Sequence, residues 1–269
     1  MSDKDSILLS VKNLSTAYFT KQGPLQAVRD VSFDIREGAI FALVGTSGCG
    51  KTALALSILR LIPGHQGRIT GGNIFFNGQD LLSIREKQMR KVRGAEIAFV
   101  FQQPAAAFNP VFTIGNQIAE TVTLHQKKTR KKAFSDAVDM LRKVGIDEPE
   151  KKARQYPHQF SGGMLQRAMI AMAVCCRPKL IIADEPTSSL DVTTEMGILD
   201  LLCQLRKEDN ISILLITHNL NIVANRADYV AVMQNGRILE QGDTKKIIQN
   251  PSHPYTKSLI ANASKNSLR

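Results

Sequence analysis

Two short segments hold most of the chemistry available to this chain. The first, Gly45-Thr46-Ser47-Gly48-Cys49-Gly50-Lys51-Thr52, has the spacing G-x-x-x-x-G-K-[ST] of a phosphate-binding loop. Its glycines permit a turn whose N–H groups all face inward, an anion nest at the start of a helix. The helix end adds roughly half a positive charge. Lys51 is expected to reach the β- and γ-phosphates of a bound nucleotide, and the Thr52 hydroxyl to sit on Mg²⁺. The second segment, Leu180-Ile181-Ile182-Ala183-Asp184-Glu185, is an apolar run ending in two acids. Asp184 is expected to hold Mg²⁺ through water. Glu185, one residue further on, points a different way and can act as general base on an attacking water.

The surrounding pattern explains how these groups come to be presented. Short runs rich in Ile, Val and Leu predict strands at Ile7–Val11, Val31–Ile35, Ile40–Val44, Ile97–Phe101, Leu180–Ala183, Ile211–Ile216 and Tyr229–Met233. Those at 40–44, 180–183 and 211–216 are apolar throughout, as strands buried on both faces must be. Helical patterns lie between them, at Lys51–Leu61, Ala133–Val144, Gly163–Cys176 and Thr193–Glu208. Strands alternating with helices imply a parallel α/β sheet, whose ligands bind at the carboxyl ends of its strands. Asn109 to Phe160 lacks strand signals and reads as an inserted helical region. It contains the basic cluster Lys127-Lys128-Thr129-Arg130-Lys131-Lys132, read as a solvated face or a contact for acidic lipid or an acidic partner. Asn250-Pro251-Ser252-His253-Pro254 must break any helix in the tail.

Composition bounds the class. A chain of 269 residues, 43% hydrophobic and 22% charged, is a globular domain with or without a subdomain. The net charge of +11 suits phosphate-bearing ligands, nucleic acid or an anionic surface without choosing among them. Cys49, Cys175, Cys176 and Cys203 have no C-x-x-C spacing, which argues against a disulfide scaffold or zinc ribbon and fits a reducing compartment. No apolar run approaches the ~20 residues that cross a bilayer. The polar start Met1-Ser2-Asp3-Lys4-Asp5 is not a secretory signal, so the chain is expected in the cytosol.

Four further segments narrow the field of nucleotide hydrolases. Phe160-Ser161-Gly162-Gly163-Met164-Leu165-Gln166-Arg167 resembles the L-S-G-G-Q signature of ABC ATPases. Gln102, in Phe101-Gln102-Gln103-Pro104, resembles their Q-loop. Ser189-Leu190-Asp191 resembles the D-loop, and His218, in Ile216-Thr217-His218-Asn219, the H-switch. All stand in family order, so the resemblance spans nearly the whole chain. It implies an α/β fold: a P-loop NTPase (RecA-like) core with a mixed β-sheet at 1–108 and 161–242, an inserted α-helical ABC subdomain at 109–160, and an extension at 243–269. It further implies that Tyr18 stacks on adenine and that Gly45–Thr52 holds the triphosphate of ATP. Gln102 would sense Mg²⁺ and water, Glu185 polarise the water, and His218 contact the γ-phosphate. Ser161 is a plausible cap for its helix, which offers a second anion-binding end. By resemblance Ser161, Gly162 and Gly163 cap ATP held by a second ATPase chain, with Asp191 reporting across the dimer. Phe160, Met164 and Gln103 depart from the commonest pattern without removing a charge the chemistry needs. Phe160 is expected to anchor by packing. Cys49 sits in a cationic nest where oxidation is conceivable if a reagent can enter.

The tail Asn250-Pro251-Ser252-His253-Pro254-Tyr255-Thr256 resembles the N-P-x-H-P-Y-T extension of oligopeptide, dipeptide and nickel importer ATPases. That branch implies a homo- or heterodimer of ATPase subunits on the cytoplasmic face of the inner membrane. Two transmembrane permeases and an extracytoplasmic solute-binding protein complete the assembly. No direct nucleic-acid contact and no iron–sulfur site are expected. Two other readings remain from sequence: a soluble ABC ATPase acting on nucleic acid, which the charge permits, and an exporter ATPase, which the tail disfavours.

Overall fold

The computed structural model describes residues 6–188 and 190–266. Met1–Asp5 and Ser189, to which the sequence assigns a polar start and part of the D-loop, lie outside the described residues. In chain order the elements begin with β1 (Ile7–Thr20), β2 (Gly23–Arg36), β3 (Ile40–Val44), α1 (Lys51–Ile58), β4 (Gly67–Phe76), β5 (Gln79–Asp80) and α2 (Glu86–Val92). There follow β6 (Ile97–Val100), α3 (Pro104–Ala107), α4 (Ile114–Gln126), α5 (Arg130–Lys143) and α6 (Pro149–Lys152). After a 3₁₀ turn at Pro157–Gln159 come α7 (Gly162–Val174), β7 (Leu180–Asp184), α8 (Val192–Asp209) and β8 (Ser212–Thr217). The chain ends with α9 (Leu220–Arg226), β9 (Tyr229–Gln234), β10 (Arg237–Asp243), α10 (Thr244–Gln249) and α11 (Pro254–Asn266).

These elements form two compact units. One takes the residues up to Met89 and those from Ser212 onward; the other is Arg90–Ile211. In the first, β1 pairs antiparallel with β2 and β4. Separately, β3 pairs parallel with β8 and β9, and β9 pairs antiparallel with β10, giving the mixed sheet expected. In the second unit β6 and β7 run parallel, in register from Ile97 opposite Leu180 to Val100 opposite Ala183. This unit also holds α4, α5, α6 and α7, and residues 109–160 contain no strand.

The strands read as apolar throughout are the ones buried at every position: β3, β7 and β8. The first hairpin is much longer than its apolar runs. Register shifts between Val11 and Leu14, and again to Thr16 and Ala17, break the two-residue alternation that marks a strand in sequence. Asn13 and Asp30 sit at φ 50° and 54° within it, conformations that short polar side chains tolerate. β4 escapes detection because Gly67, Gly71 and Gly72 interrupt it, and β10 because it is largely polar. Helix α1 stops at Ile58, short of Leu61, where Arg60 turns left-handed at φ 52°. The proline-rich break falls between α10 and α11, as the sequence requires.

The basic cluster is partly neutralised within its own segment. Lys128 and Lys132 both pair with Asp136, at 2.8 and 3.0 Å.

Candidate functional site: a phosphate loop and an acid turn

In the first unit, buried β3 delivers the chain directly into the loop Gly45–Thr52, and α1 leads away from it. Two glycines are required by geometry. A Cβ on Gly45 would lie 2.2 Å from the Met233 carbonyl oxygen, so β9 leaves no space for a side chain. Gly50 caps α1 at φ 111°, where a Cβ would also meet the Ala27 carbonyl at 2.2 Å. No acidic residue occupies the first turn of α1, so its positive end is not neutralised locally.

The loop is held from several sides. Cys49 N–H donates to the Thr46 carbonyl at 3.3 Å, and Gly236 N–H to the Cys49 carbonyl at 2.9 Å. Buried Lys51 donates from Nζ to the carbonyls of Gly45 (2.8 Å) and Thr46 (3.0 Å). Its ammonium is thereby fixed over the loop while Thr46, Ser47, Gly48 and Thr52 face solvent. Cys49 is buried, and burial pushes its thiol above the ordinary range despite the opposing charge of Lys51. The thiol is therefore held protonated and shielded, so the access on which its oxidation depends is closed.

Tyr18 and His218 belong to the same unit. Tyr18 lies half-buried on β1 opposite Gly67, and burial raises its hydroxyl pKa. Two residues before it, the buried Thr16 hydroxyl shares a 2.8 Å hydrogen bond with Ser57 of α1, so the strand bearing Tyr18 is pinned to the loop's helix. His218 is exposed just past the end of β8, followed by Asn219, whose side chain caps α9. One contact was not legible in the sequence. The Tyr255 hydroxyl of α11 lies 3.4 Å from Thr46 N and 3.3 Å from Thr46 Oγ1. The motif around Tyr255 was visible, but nothing in it named its target.

The second unit holds Gln102, the signature segment and the acids. Asp184 ends β7, 4% exposed. Glu185 follows with φ 45°, a left-handed turn that sends its side chain away from the strand direction. Its Oε2 accepts from Gln102 Nε2 at 3.2 Å, so the structure brings together the predicted water-sensing amide and the predicted base.

Ser161 is the N-cap of α7, accepting from Met164 N–H at 3.3 Å. Its helix end borders a cavity of about 420 Å³ lined in part by Ser161, Gly163, Met164 and Thr194. Phe160 is buried and lies under Lys152 Nζ at 5.6 Å from the ring centroid, the packing anchor expected of it. Asp191 has a structural task that the sequence reading did not assign. It caps α8, accepting from Thr194 N–H at 3.0 Å and Thr194 Oγ1 at 2.7 Å. These bonds hold its carboxyl below the usual carboxylate range.

The residues expected at Mg²⁺, namely Thr52, Gln102 and Asp184, offer hydroxyl, amide and carboxylate oxygen, a donor set that suits this hard cation. Among the described residues no group of three or more His, Cys, Asp or Glu forms a closed metal cage. Among them, too, no helix is long and apolar enough to cross a membrane.

Comparison with known proteins agrees with these parts. Residues 28–188 match the sequence profile of the ABC transporter family. A dipeptide transport ATP-binding protein of Bacillus subtilis is 47% identical over 253 residues, covering 94% of this chain and 76% of that protein. An oligopeptide transport ATP-binding protein of the same organism is 47% identical over 254 residues, 94% of this chain and 71% of its own length. A dipeptide transport ATP-binding protein of Escherichia coli is 44% identical over 253 residues, with coverage of 94% and 77%. Among solved structures, a dimeric ATP-binding cassette in a post-hydrolysis state with ADP and Pi aligns with a TM-score of 0.78 at 25% identity. It covers 88% of this chain and 98% of its own. A protein of Clostridium perfringens that is part of an ABC transporter complex aligns at 0.76 with 25% identity, covering 91% and 92%.

Proposed function

The chain belongs to the ABC transporter family, and on that footing we propose that it is the ATP-binding and ATP-hydrolysing subunit that powers an importer of peptides or a related solute such as nickel. The observation that carries this reading is the 47% identity to a dipeptide transport ATP-binding protein, maintained over 94% of the chain.

In the proposed reaction, Gly45–Thr52 binds the triphosphate through its N–H groups, Lys51 supplies charge at the β- and γ-phosphates, and Tyr18 stacks on adenine. Water attacks the γ-phosphorus and gives its proton to Glu185. The bond to the bridging oxygen breaks, and ADP leaves with that electron pair. Gln102 holds Glu185 in place, and His218 contacts the γ-phosphoryl group. Thr52, Gln102 and Asp184 would hold Mg²⁺, which when bound neutralises charge on the β- and γ-oxygens.

Two ATPase chains, identical or related, would pair so that Ser161, Gly162 and Gly163 of one cap the nucleotide held by the other, with Asp191 at that junction. ATP joins them and its cleavage releases them. The pair would work on the cytoplasmic face of the inner membrane beneath two permeases fed by a solute-binding protein. A groove of about 510 Å³ on the helical segment, lined in part by Phe112, Ala119, Leu124 and Phe134, supports docking of a permease there. Leu124 at its edge is 75% exposed.

The test is copurification of the full chain with two multi-span membrane proteins, followed by ATP-driven peptide uptake into vesicles. Failure to hold such partners, with turnover stimulated by DNA or RNA instead, would overturn the importer reading.

A further inference from the structure

The C-terminal segment is built into the wall of the phosphate loop. α11 packs through Tyr255, Leu259 and Ile260 on a buried cluster that includes Val44, the residue immediately before Gly45. From the start of that helix the Tyr255 hydroxyl accepts from Thr46 N–H at 3.4 Å and donates to Thr46 Oγ1 at 3.3 Å.

The segment leading to Tyr255 is itself tied down. Glu240 of β10 accepts from Ser252 N–H at 2.7 Å and His253 N–H at 3.1 Å, one on each carboxylate oxygen. His253 Nδ1 then accepts from Tyr255 N–H at 3.1 Å. At the other end, Thr46 is a node: its N–H and hydroxyl face Tyr255, while its carbonyl accepts from Lys51 Nζ at 3.0 Å and from Cys49 N–H at 3.3 Å. The polar connections therefore run from Glu240 through the tail to the ammonium that faces phosphate.

We propose that Tyr255 is a positioning residue for nucleotide binding, bracing Thr46 so that the Thr46 carbonyl fixes Lys51. Glu240 and His253 hold Tyr255 at that station. The tail is then a working part of the phosphate site. This inference rests on the reading of Gly45–Thr52 as the ATP loop. It adds a residue 209 positions away in sequence.

The experiment is a titration of the full chain with ATP and Mg²⁺, with steady-state turnover and thermal unfolding measured on the same preparations. Tyr255→Phe keeps the packed ring and removes only the hydroxyl. Loss of one or two neutral hydrogen bonds corresponds to a rise in Kd and KM of about 3- to 10-fold. The turnover number at saturation is expected to stay at the wild-type value, and the unfolding midpoint to fall by no more than the loss of those one or two bonds. Glu240→Ala, which frees the tail without touching the loop, is expected to raise Kd in the same direction. Wild-type affinity in Tyr255→Phe, or a fall in the turnover number at saturation with affinity unchanged, overturns the positioning role. Failure of the wild-type chain to bind ATP instead overturns the underlying site assignment.

Discussion

Gln102 donates from its side-chain amide to Glu185 Oε2 across 3.2 Å, linking the loop after β6 to the turn after β7. The bond orients a carboxylate that is otherwise only partly buried. Glu185→Gln removes the proposed proton acceptor but keeps the size and shape of the side chain. Turnover is expected to fall by about 10²- to 10⁴-fold, the usual contribution of general base catalysis. ATP affinity is expected to persist, and a closed dimer to accumulate with ATP. Phosphate release, nucleotide titration and size-exclusion chromatography read these three quantities, and near-normal hydrolysis would remove Glu185 from its role.

Lys51 ties the Gly45 and Thr46 carbonyls together, and in the proposed reaction it is also the cation for phosphate. Lys51→Ala is expected to abolish measurable nucleotide affinity in calorimetry. Unchanged affinity would contradict the assignment of the loop.

Gly45 has no space for even a methyl group beside the Met233 carbonyl. In Gly45→Ala the obstacle is backbone, so the loop or β9 must shift. The expected cost is about 1–3 kcal/mol, as for other overpacked sites, together with loss of ATP binding. Chemical denaturation measures the first, and wild-type stability would show that the loop can move freely.

A pH effect follows from the helical segment. The Lys128 hydrogen bond, helped by Lys132, holds the Asp136 carboxyl below its ordinary value against the opposing effect of burial. A carboxyl depressed in the folded state stabilises the protein above its unfolded value, and that contribution drains away as pH falls through the folded value. Asp136→Asn is therefore expected to lower the urea midpoint at neutral pH. The gap from wild type should close as pH drops below about 4, where the unfolded carboxyl also takes a proton. A gap independent of pH would show that the pair contributes nothing through charge.

The turn of the phosphate loop was legible because local spacing encodes it. Gly45, Gly50 and Lys51 are close enough in sequence that the turn they dictate can be read directly. The apolar runs of β3, β7 and β8 advertise full burial. The β1–β2 hairpin was legible only at its ends, because its irregular register interrupts alternation. The cap made by Asp191 on Thr194 was hidden by the functional pattern around it. Tyr255 on Thr46 joins distant parts of the chain through tertiary packing, which no local pattern reports. Whether a reagent reaches the Cys49 thiol depended on burial, which local spacing does not report.

The backbone at Glu185 carries a cost of its own. A glutamate at φ 45° is in a conformation that costs roughly 1–2 kcal/mol for a residue with a Cβ. Glycine would relax it. With Glu185 as the proposed general base, and to the extent that the relief of backbone strain exceeds the lost bond from Gln102, Glu185→Gly is a change that selection for heat endurance alone would favour and selection for growth on an imported nutrient would purge. Endurance and throughput compete at a single codon, and directed evolution under the two regimes would separate them there.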